Sequence, residues 1–195
     1  IACMRNVLST IGDLLENGID ATEAVTLAVE MLEDEPLFNA GIGSVLSAEG
    51  GVTMDASIMQ GEDGAAGSVV NVTKIRHPIR AAEKILQNGW PVMMNSAAAD
   101  ENAIASGIEE VSQEWLITDL RKAQWQKWKN AKSKPGSTDE DDSAVLDHDA
   151  EMGTVGAVAL DKFGNLAAAT STGGMTGKPP GRIGDTPIIG AGTWA

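Results

Sequence analysis

Gly153-Thr154 is the first pair whose types and setting point to chemistry, because an acidic segment almost free of apolar residues runs there straight into the apolar stretch Thr154 to Leu160. A break between the two residues gives Thr154 a hydroxyl nucleophile and, on the same residue, an α-amine of pKa ~7.7–8.0 that can serve as its base. Glycine in front lets the backbone take the strained geometry in which the hydroxyl attacks the Gly153 carbonyl and moves the acyl group from nitrogen to oxygen. The competing reading is structural, since a β-branched residue after glycine is an ordinary strand start. Thr172 closes a second apolar run ahead of Gly173-Gly174. If the two runs pair as a hairpin, its hydroxyl falls near Thr154, although a strand-end hydroxyl also satisfies local backbone. Gly181-Arg182-Ile183-Gly184-Asp185 then sets a guanidinium and a carboxylate three apart on a glycine-flanked loop. Arginine grips an α-carboxylate through two parallel bonds and aspartate accepts from an α-ammonium, so the pair suits a zwitterionic amino acid; such charges also pair with each other.

The elements that must position these groups follow from periodicity and punctuation. Ile1, Met4, Leu8, Ile11 and Leu15 keep helical spacing up to Asn17-Gly18, and Asp20 with Glu23 three residues on opens a second helix running to Pro36. Thr53 to Met59 alternates, Gly61 to Gly64 turns, and Gly67 to Val72 continues as an antiparallel meander. His77-Pro78 starts a helix that Asn88-Gly89 closes, Ser96 caps another carrying Ile104, Ile108 and Val111, and Gln113 to Lys132 reads as one more. Ser133 to Met152 holds Pro135, Gly136 and seven acids, the composition of a mobile, solvated linker. Asp161 to Asn165 joins the two final strands as a hairpin turn, and PIIGAGTWA reads as strand and turn. Strands, helices and strands in that order predict a layered α+β fold with an antiparallel sheet in a single domain.

Composition excludes several functions. With 195 residues and a formal charge of −14, the chain repels polyanions unless a basic face is strongly segregated, and no apolar run reaches membrane length. The lone Cys3 excludes an internal disulfide and any zinc site built on several cysteines. One basic stretch, Arg121, Lys122, Lys127, Lys129, Lys132 and Lys134 around Trp125 and Trp128, carries a nucleic-acid reading. Its alternative is a surface helix with solvated lysines and tryptophans packed on the core. No nucleic-acid or membrane partner is expected. Both ends read as cut, so a targeting signal falls outside the chain and the compartment stays open, with the cytoplasm as default.

The run MGTVGAVALDKFGNLAAATSTGGMTGKPPGRIGDTPIIGAG closely resembles the nucleophile region of the plant-type asparaginase and isoaspartyl peptidase family, among the N-terminal nucleophile hydrolases. LEDEPLFNAGIGSV and MDASIMQG resemble that family's α-subunit, so the likeness covers the chain apart from the linker. The resemblance implies a four-layer αββα sandwich, incomplete here. Residues 1–132 correspond to the α-subunit body, 133–153 to the linker ending at the cleavage site Gly153/Thr154, and 154–195 to the start of the β-subunit.

By the same resemblance Thr154 is the nucleophile, with hydrolysis of asparagine or β-aspartyl dipeptides to aspartate through an acyl-enzyme, in a dimer of αβ heterodimers. Thr172 matches the threonine that supports the nucleophile, while Arg182 and Asp185 match the residues that bind substrate α-carboxylate and α-amine. Asn39 in FNAG matches an asparagine near the nucleophile, with a turn residue before Gly41 as its alternative. Carbonyls at positions matching Leu32, Glu33, Glu35, Phe38, Ala40 and Ile42 surround a structural sodium in the family, an oxygen set suited to a hard cation. No catalytic cofactor is implied. The family's His-Gly-Gly-Ala-Gly strand and its Thr-Gly oxyanion element have no counterpart between Ile1 and Ala195, so a chain of these residues alone is expected to turn over little or no substrate. A glycosylasparaginase, or a catalytically dead piece of the fold, is the alternative.

Overall fold

The computed structural model describes residues 2–133 and 153–195. Five strands, β1 (Met54–Gln60), β2 (Ala66–Val72), β3 (Met93–Asn95), β4 (Val155–Leu160) and β5 (Leu166–Thr172), form one sheet in the order β3-β2-β1-β5-β4. Every pairing is antiparallel except the short parallel one between β2 and β3. Three residues are too few to show an alternation, which is why the meander expected from the sequence lacked β3. The expected linker, 133–153, lies outside the described residues except for its two end residues, Ser133 and Gly153.

Helices α2 (Ala21–Glu33) and α3 (Pro78–Asn88) lie on one face of the sheet, α2 over β4 and β5, α3 over β1 and β2. Asp20 caps α2 by accepting from the Glu23 backbone N–H at 2.9 Å. Val25, Val29 and Leu32 of α2 are fully buried with Ile79 and Ile85 of α3 against Ala56, Ile58 and Ala169 of the sheet. At about 1.5–3 kcal/mol for each large apolar side chain removed from water, this layer dominates the stability of the fold. The carboxylate of Asp161 accepts from Phe163 and Asn165 within the β4–β5 turn and from the Ala21 backbone at the start of α2, which locks the hairpin to that helix.

Several local expectations change in the folded chain. α1 (Ala2–Glu16) buries Val7 and Ile11 but leaves Met4 and Leu8 exposed, because it packs on α2 rather than on the sheet. The long helix after residue 112 is two, α5 (Gln113–Leu116) and α6 (Asp119–Lys132). Thr118 breaks it by accepting from the Arg121 N–H as an N-cap. α4 (Ser96–Ala105) stops short of Ile108 and Val111. β1 alternates in sequence yet is buried on both faces, since the chain after residue 182 folds over its second face: Ser57 Oγ donates to the Thr186 carbonyl at 2.6 Å and Ser68 Oγ to the Pro187 carbonyl at 2.9 Å. The terminal PIIGAGTWA forms turns with a single bridge, Ile189 to Thr193, in place of a strand. Val158, Leu160 and Leu166 stand exposed on the sheet face opposite the helices, the face a second sheet covers in the sandwich that the resemblance implies.

Candidate active site

Sheet register assembles the first part of the site. Asp55 of β1 pairs with Thr172 of β5, and Val155 of β4 pairs with Ser171. Carried one residue further, that register sets Thr154 opposite Thr172, so Asp55, Thr172 and Thr154 form one row across three strands. Directly opposed residues of antiparallel strands project to the same face, here the one away from the helices. The Thr154 hydroxyl donates to Thr172 Oγ1 at 3.0 Å, and Thr172 Oγ1 also accepts from the Gly174 N–H at 3.0 Å. Thr154 is exposed and Thr172 buried.

Asn39 arrives from the loop after α2 and holds both sides of this row. Its backbone N–H donates to the Gly153 carbonyl at 3.3 Å, and its carbonyl accepts from the Gly173 N–H at 2.9 Å. Its side-chain amide donates to the Gly174 carbonyl at 2.7 Å and accepts from the Val45 N–H at 3.0 Å. Asn39 is thus a clamp between the α2 loop and the turn after β5, more than a turn residue. The loop is in turn held by Arg121, whose guanidinium donates to the carbonyls of Gly43 and Leu37. Arg121 is almost fully buried, unlike the solvated surface role its basic neighbours imply. Trp128 is buried and the indole N–H of Trp125 donates to the Ser47 carbonyl at 2.8 Å, so these aromatics of α6 face the protein.

A cavity of about 260 Å³ opens on this row, with Asn39, Gly153, Thr154, Thr172, Arg182 and Asp185 in its wall. It is smaller than the ~300–1,000 Å³ of sites for drug-sized ligands. Arg182 and Asp185 face the cavity without pairing: among the described residues no ion pair joins them. The guanidinium is seated by two glycines, with Nη1 3.2 Å from where a Gly174 Cβ would stand and 3.0 Å from that of Gly184. The Gly184 and Thr186 contributions to the wall were not legible in the sequence, where nothing marks a backbone that lines a cavity.

The loop expected to hold sodium is tightly curled, with its backbone oxygens close to its own glycines. Gly41, at φ 53°, and Gly43 each lie so close to a carbonyl, of Glu33 and Phe38 respectively, that a Cβ on either would collide with it. The carbonyls of Glu35 and Ala40 each accept one N–H, from Phe38 and Gly43, which leaves a second lone pair on each, while the Leu32 carbonyl accepts from both Asp34 and Glu35. Curled backbone oxygens of this kind fit a hard monovalent cation. No group of three or more His, Cys, Asp or Glu side chains is gathered for a metal among the described residues. The Glu33 side chain lies on the sheet side of the loop, where its carboxyl accepts from Ser171 Oγ at 2.6 Å and from the Ile79 N–H at 3.0 Å. Burial pushes that carboxyl well above its usual range.

Two threonines on paired strands, opening on a small cavity with one guanidinium and one carboxylate beyond them, fit an α+β fold of the N-terminal nucleophile class. The chain belongs to the asparaginase family, whose model matches residues 2–195. It is 46% identical to an isoaspartyl peptidase of Escherichia coli strain K12 over 196 aligned residues, covering 100% of this chain and 60% of that protein. It is 43% identical to a human isoaspartyl peptidase/L-asparaginase over 188 residues, covering 96% of this chain and 58% of that protein. The chain therefore spans about 60% of the length of these curated relatives. No helix among the described residues is long and apolar enough to cross a membrane.

Proposed function

We propose that the protein carrying this chain cleaves itself between Gly153 and Thr154 and then hydrolyses β-aspartyl dipeptides and asparagine. The observation that carries this reading is the contact set of the junction: the Thr154 hydroxyl is 3.0 Å from Thr172 Oγ1, and the adjoining Gly153 carbonyl accepts from the Asn39 N–H at 3.3 Å. The first contact fixes the direction of the Thr154 hydroxyl, whose proton passes to the amine released by the attack. The second gives a donor to the oxygen on which charge builds as that carbonyl is attacked. Attack forms a Thr154 ester at Gly153 and releases the Thr154 amine; water then hydrolyses the ester and leaves a chain that begins at Thr154.

In the mature site the free α-amine of Thr154 acts as base for its own hydroxyl. The hydroxyl adds to the side-chain amide carbon of the substrate, and the leaving amine, ammonia or an amino acid, takes the proton. Water then hydrolyses the acyl-enzyme to aspartate. Arg182 holds the substrate α-carboxylate and Asp185 its α-ammonium, which admits a free amino-acid head and rejects internal peptide residues. Carbonyls of Leu32, Glu33, Glu35, Phe38, Ala40 and Ile42 hold a sodium ion that stiffens the loop carrying Asn39, with no part in the chemistry. The assembly is a dimer of αβ heterodimers. Relatives named isoaspartyl peptidase favour this substrate class over glycosylated asparagine, and paired assays on both substrates decide it.

Intact-mass analysis tests the reading directly. Wild type should yield a fragment beginning Thr154-Val155-Gly156, and Thr154→Ala should stay uncleaved and inactive on β-aspartyl dipeptides. Equal behaviour of the two proteins overturns the nucleophile assignment.

A further inference from the structure

Beside the row that carries the nucleophile lies a row of hydroxyls that the proposed reaction does not use. Ser57 of β1 pairs with Ser68 of β2 on one side and with Thr170 of β5 on the other. Ser57 and Thr170 stand two residues along their strands from Asp55 and Thr172, so they project to the same face of the sheet. All three hydroxyls act on the segment that follows Asp185. Ser57 Oγ donates to the Thr186 carbonyl at 2.6 Å, Thr170 Oγ1 donates to the same carbonyl at 3.2 Å, and Ser68 Oγ donates to the next carbonyl, of Pro187, at 2.9 Å. Thr193 Oγ1 lies 2.7 Å from Ser57 Oγ and also contacts Thr170 Oγ1. A hydroxyl has one proton to give, and a carbonyl has two lone pairs to fill. The protons of Ser57 and Thr170 go to Thr186, so Thr193 gives its own to one of these two, and the Thr186 carbonyl is fully satisfied. Ser57, Thr186 and Thr193 are buried.

The same segment is held from its other side. Gly192 passes so close to the Asp185 carbonyl and to Thr186 Cα that a Cβ there would collide with both, and the Asp185 carbonyl accepts from the Ile188 N–H at 2.9 Å. The Asp185 side chain, by contrast, is exposed in the cavity wall and makes no ion pair among the described residues. The point from which its carboxylate reaches is therefore set by the backbone beneath it. We propose that Ser57 and Thr170 are positioning residues for Asp185: their converging hydroxyls fix the Thr186 carbonyl, and with it the place where the carboxylate meets the substrate's α-ammonium. This rests on the reading of Asp185 as the ammonium grip. A displacement of such a group by about 1 Å is enough to cost binding and rate, even when its cause lies away from the chemistry.

Steady-state kinetics on a β-aspartyl dipeptide, in the protein that carries this chain, tests the assignment as a double-mutant cycle. Ser57→Ala and Thr170→Val should each lower kcat/KM at least ~fivefold, mainly through KM, with self-cleavage complete. Thr170→Ser, which keeps the hydroxyl, should stay within ~twofold of wild type. Asp185→Ala should lower kcat/KM at least ~tenfold, and adding Ser57→Ala or Thr170→Val to it should cost less than ~twofold more, because no carboxylate is left to aim. A merely structural pair costs the same factor in both backgrounds, and that result overturns the proposal, as does an unchanged kcat/KM in Ser57→Ala and Thr170→Val. If Ser57→Ala does not fold, Thr170→Val against Thr170→Ser, each with and without Asp185→Ala, decides by the same criteria. Failure of the underlying reading looks different: wild type is then inactive on the dipeptide, or Asp185→Ala matches it.

Discussion

Replacing Thr172 by valine removes one buried oxygen at nearly constant volume and loads both structural contacts of the nucleophile onto a measurement. Thr172 is 3% exposed, and its hydroxyl accepts from Thr154 Oγ1 and from the Gly174 N–H, each at 3.0 Å. Thr154 is exposed, so its hydroxyl turns to water at little cost. The Gly174 N–H is half-buried and is left without its acceptor, which places the loss near the lower half of the ~1–3 kcal/mol range for an orphaned donor. Together these amount to about 1–2 kcal/mol, which lowers Tm by roughly 2–8 °C at the ~2–4 °C per kcal/mol of a 150–250-residue folding unit. The kinetic effect should be larger. Without that acceptor the Thr154 hydroxyl loses its fixed direction of attack, a misplacement worth on the order of 10²-fold, in self-cleavage and in turnover alike. Time-resolved intact mass gives the first rate and release of amino acid from a β-aspartyl dipeptide the second. Thr172→Ser restores the oxygen without the methyl and should recover both to within ~threefold. If Thr172→Val cleaves and turns over like wild type, the hydroxyl takes no part. If Thr172→Ser is as slow as Thr172→Val, methyl packing rather than the oxygen positions Thr154.

Arg182→Lys keeps a positive charge but removes the planar fork, so kcat/KM on β-aspartyl dipeptides should fall at least ~tenfold, about 1.4 kcal/mol, with self-cleavage unchanged. Melting curves in sodium and in a bulky organic cation at matched ionic strength should separate, with the higher Tm in sodium; coincident curves remove the ion from the Leu32 to Ile42 loop. The Lys178 ammonium, with a folded pKa of about 8 against ~10.4 in an unfolded chain, gives a pH test. Between those values the unfolded chain holds more protons, so this group's contribution to stability rises as pH rises, by roughly 2 kcal/mol from pH 8 to pH 10. Lys178→Met should lack that rise, as read by urea unfolding of both proteins at the two pH values.

The chain order of types was enough to find the β4–β5 hairpin, the α2 and α3 helices and, of the side chains around the cavity, Thr154, Thr172, Arg182 and Asp185; Val45, Arg121, Met175 and Thr186 were not found there. Those signals are local: a capping Asp20, a Pro78 at a first helical turn, glycine at Gly164 in a turn, and a threonine placed after a glycine at a strand mouth. Elements whose signals are weak or compete locally were read wrongly. Thr118 capping outweighed apolar spacing and split α5 from α6, β3 was too short to alternate, and burial of β1 on both faces came from a segment more than a hundred residues away, at Thr186 and Pro187.

What the sequence determined by itself was therefore the chemistry available, a threonine able to become an N-terminal nucleophile and a guanidinium with a carboxylate on a glycine-flanked loop. Tertiary structure decided which groups meet. Strand register put Asp55, Thr172 and Thr154 in one row, Asn39 was turned from a turn residue into a clamp on the Gly153 carbonyl, and Arg121 was taken from a basic stretch into the wall of the loop beneath it. Arg182 and Asp185 show the difference most plainly. Their spacing allowed either a mutual pair or a shared ligand, and among the described residues no ion pair joins them while Gly174 and Gly184 seat the guanidinium. Gly174 and Arg182 stand eight residues apart in the chain, and the glycine meets the guanidinium only once the loop has folded back on the turn after β5.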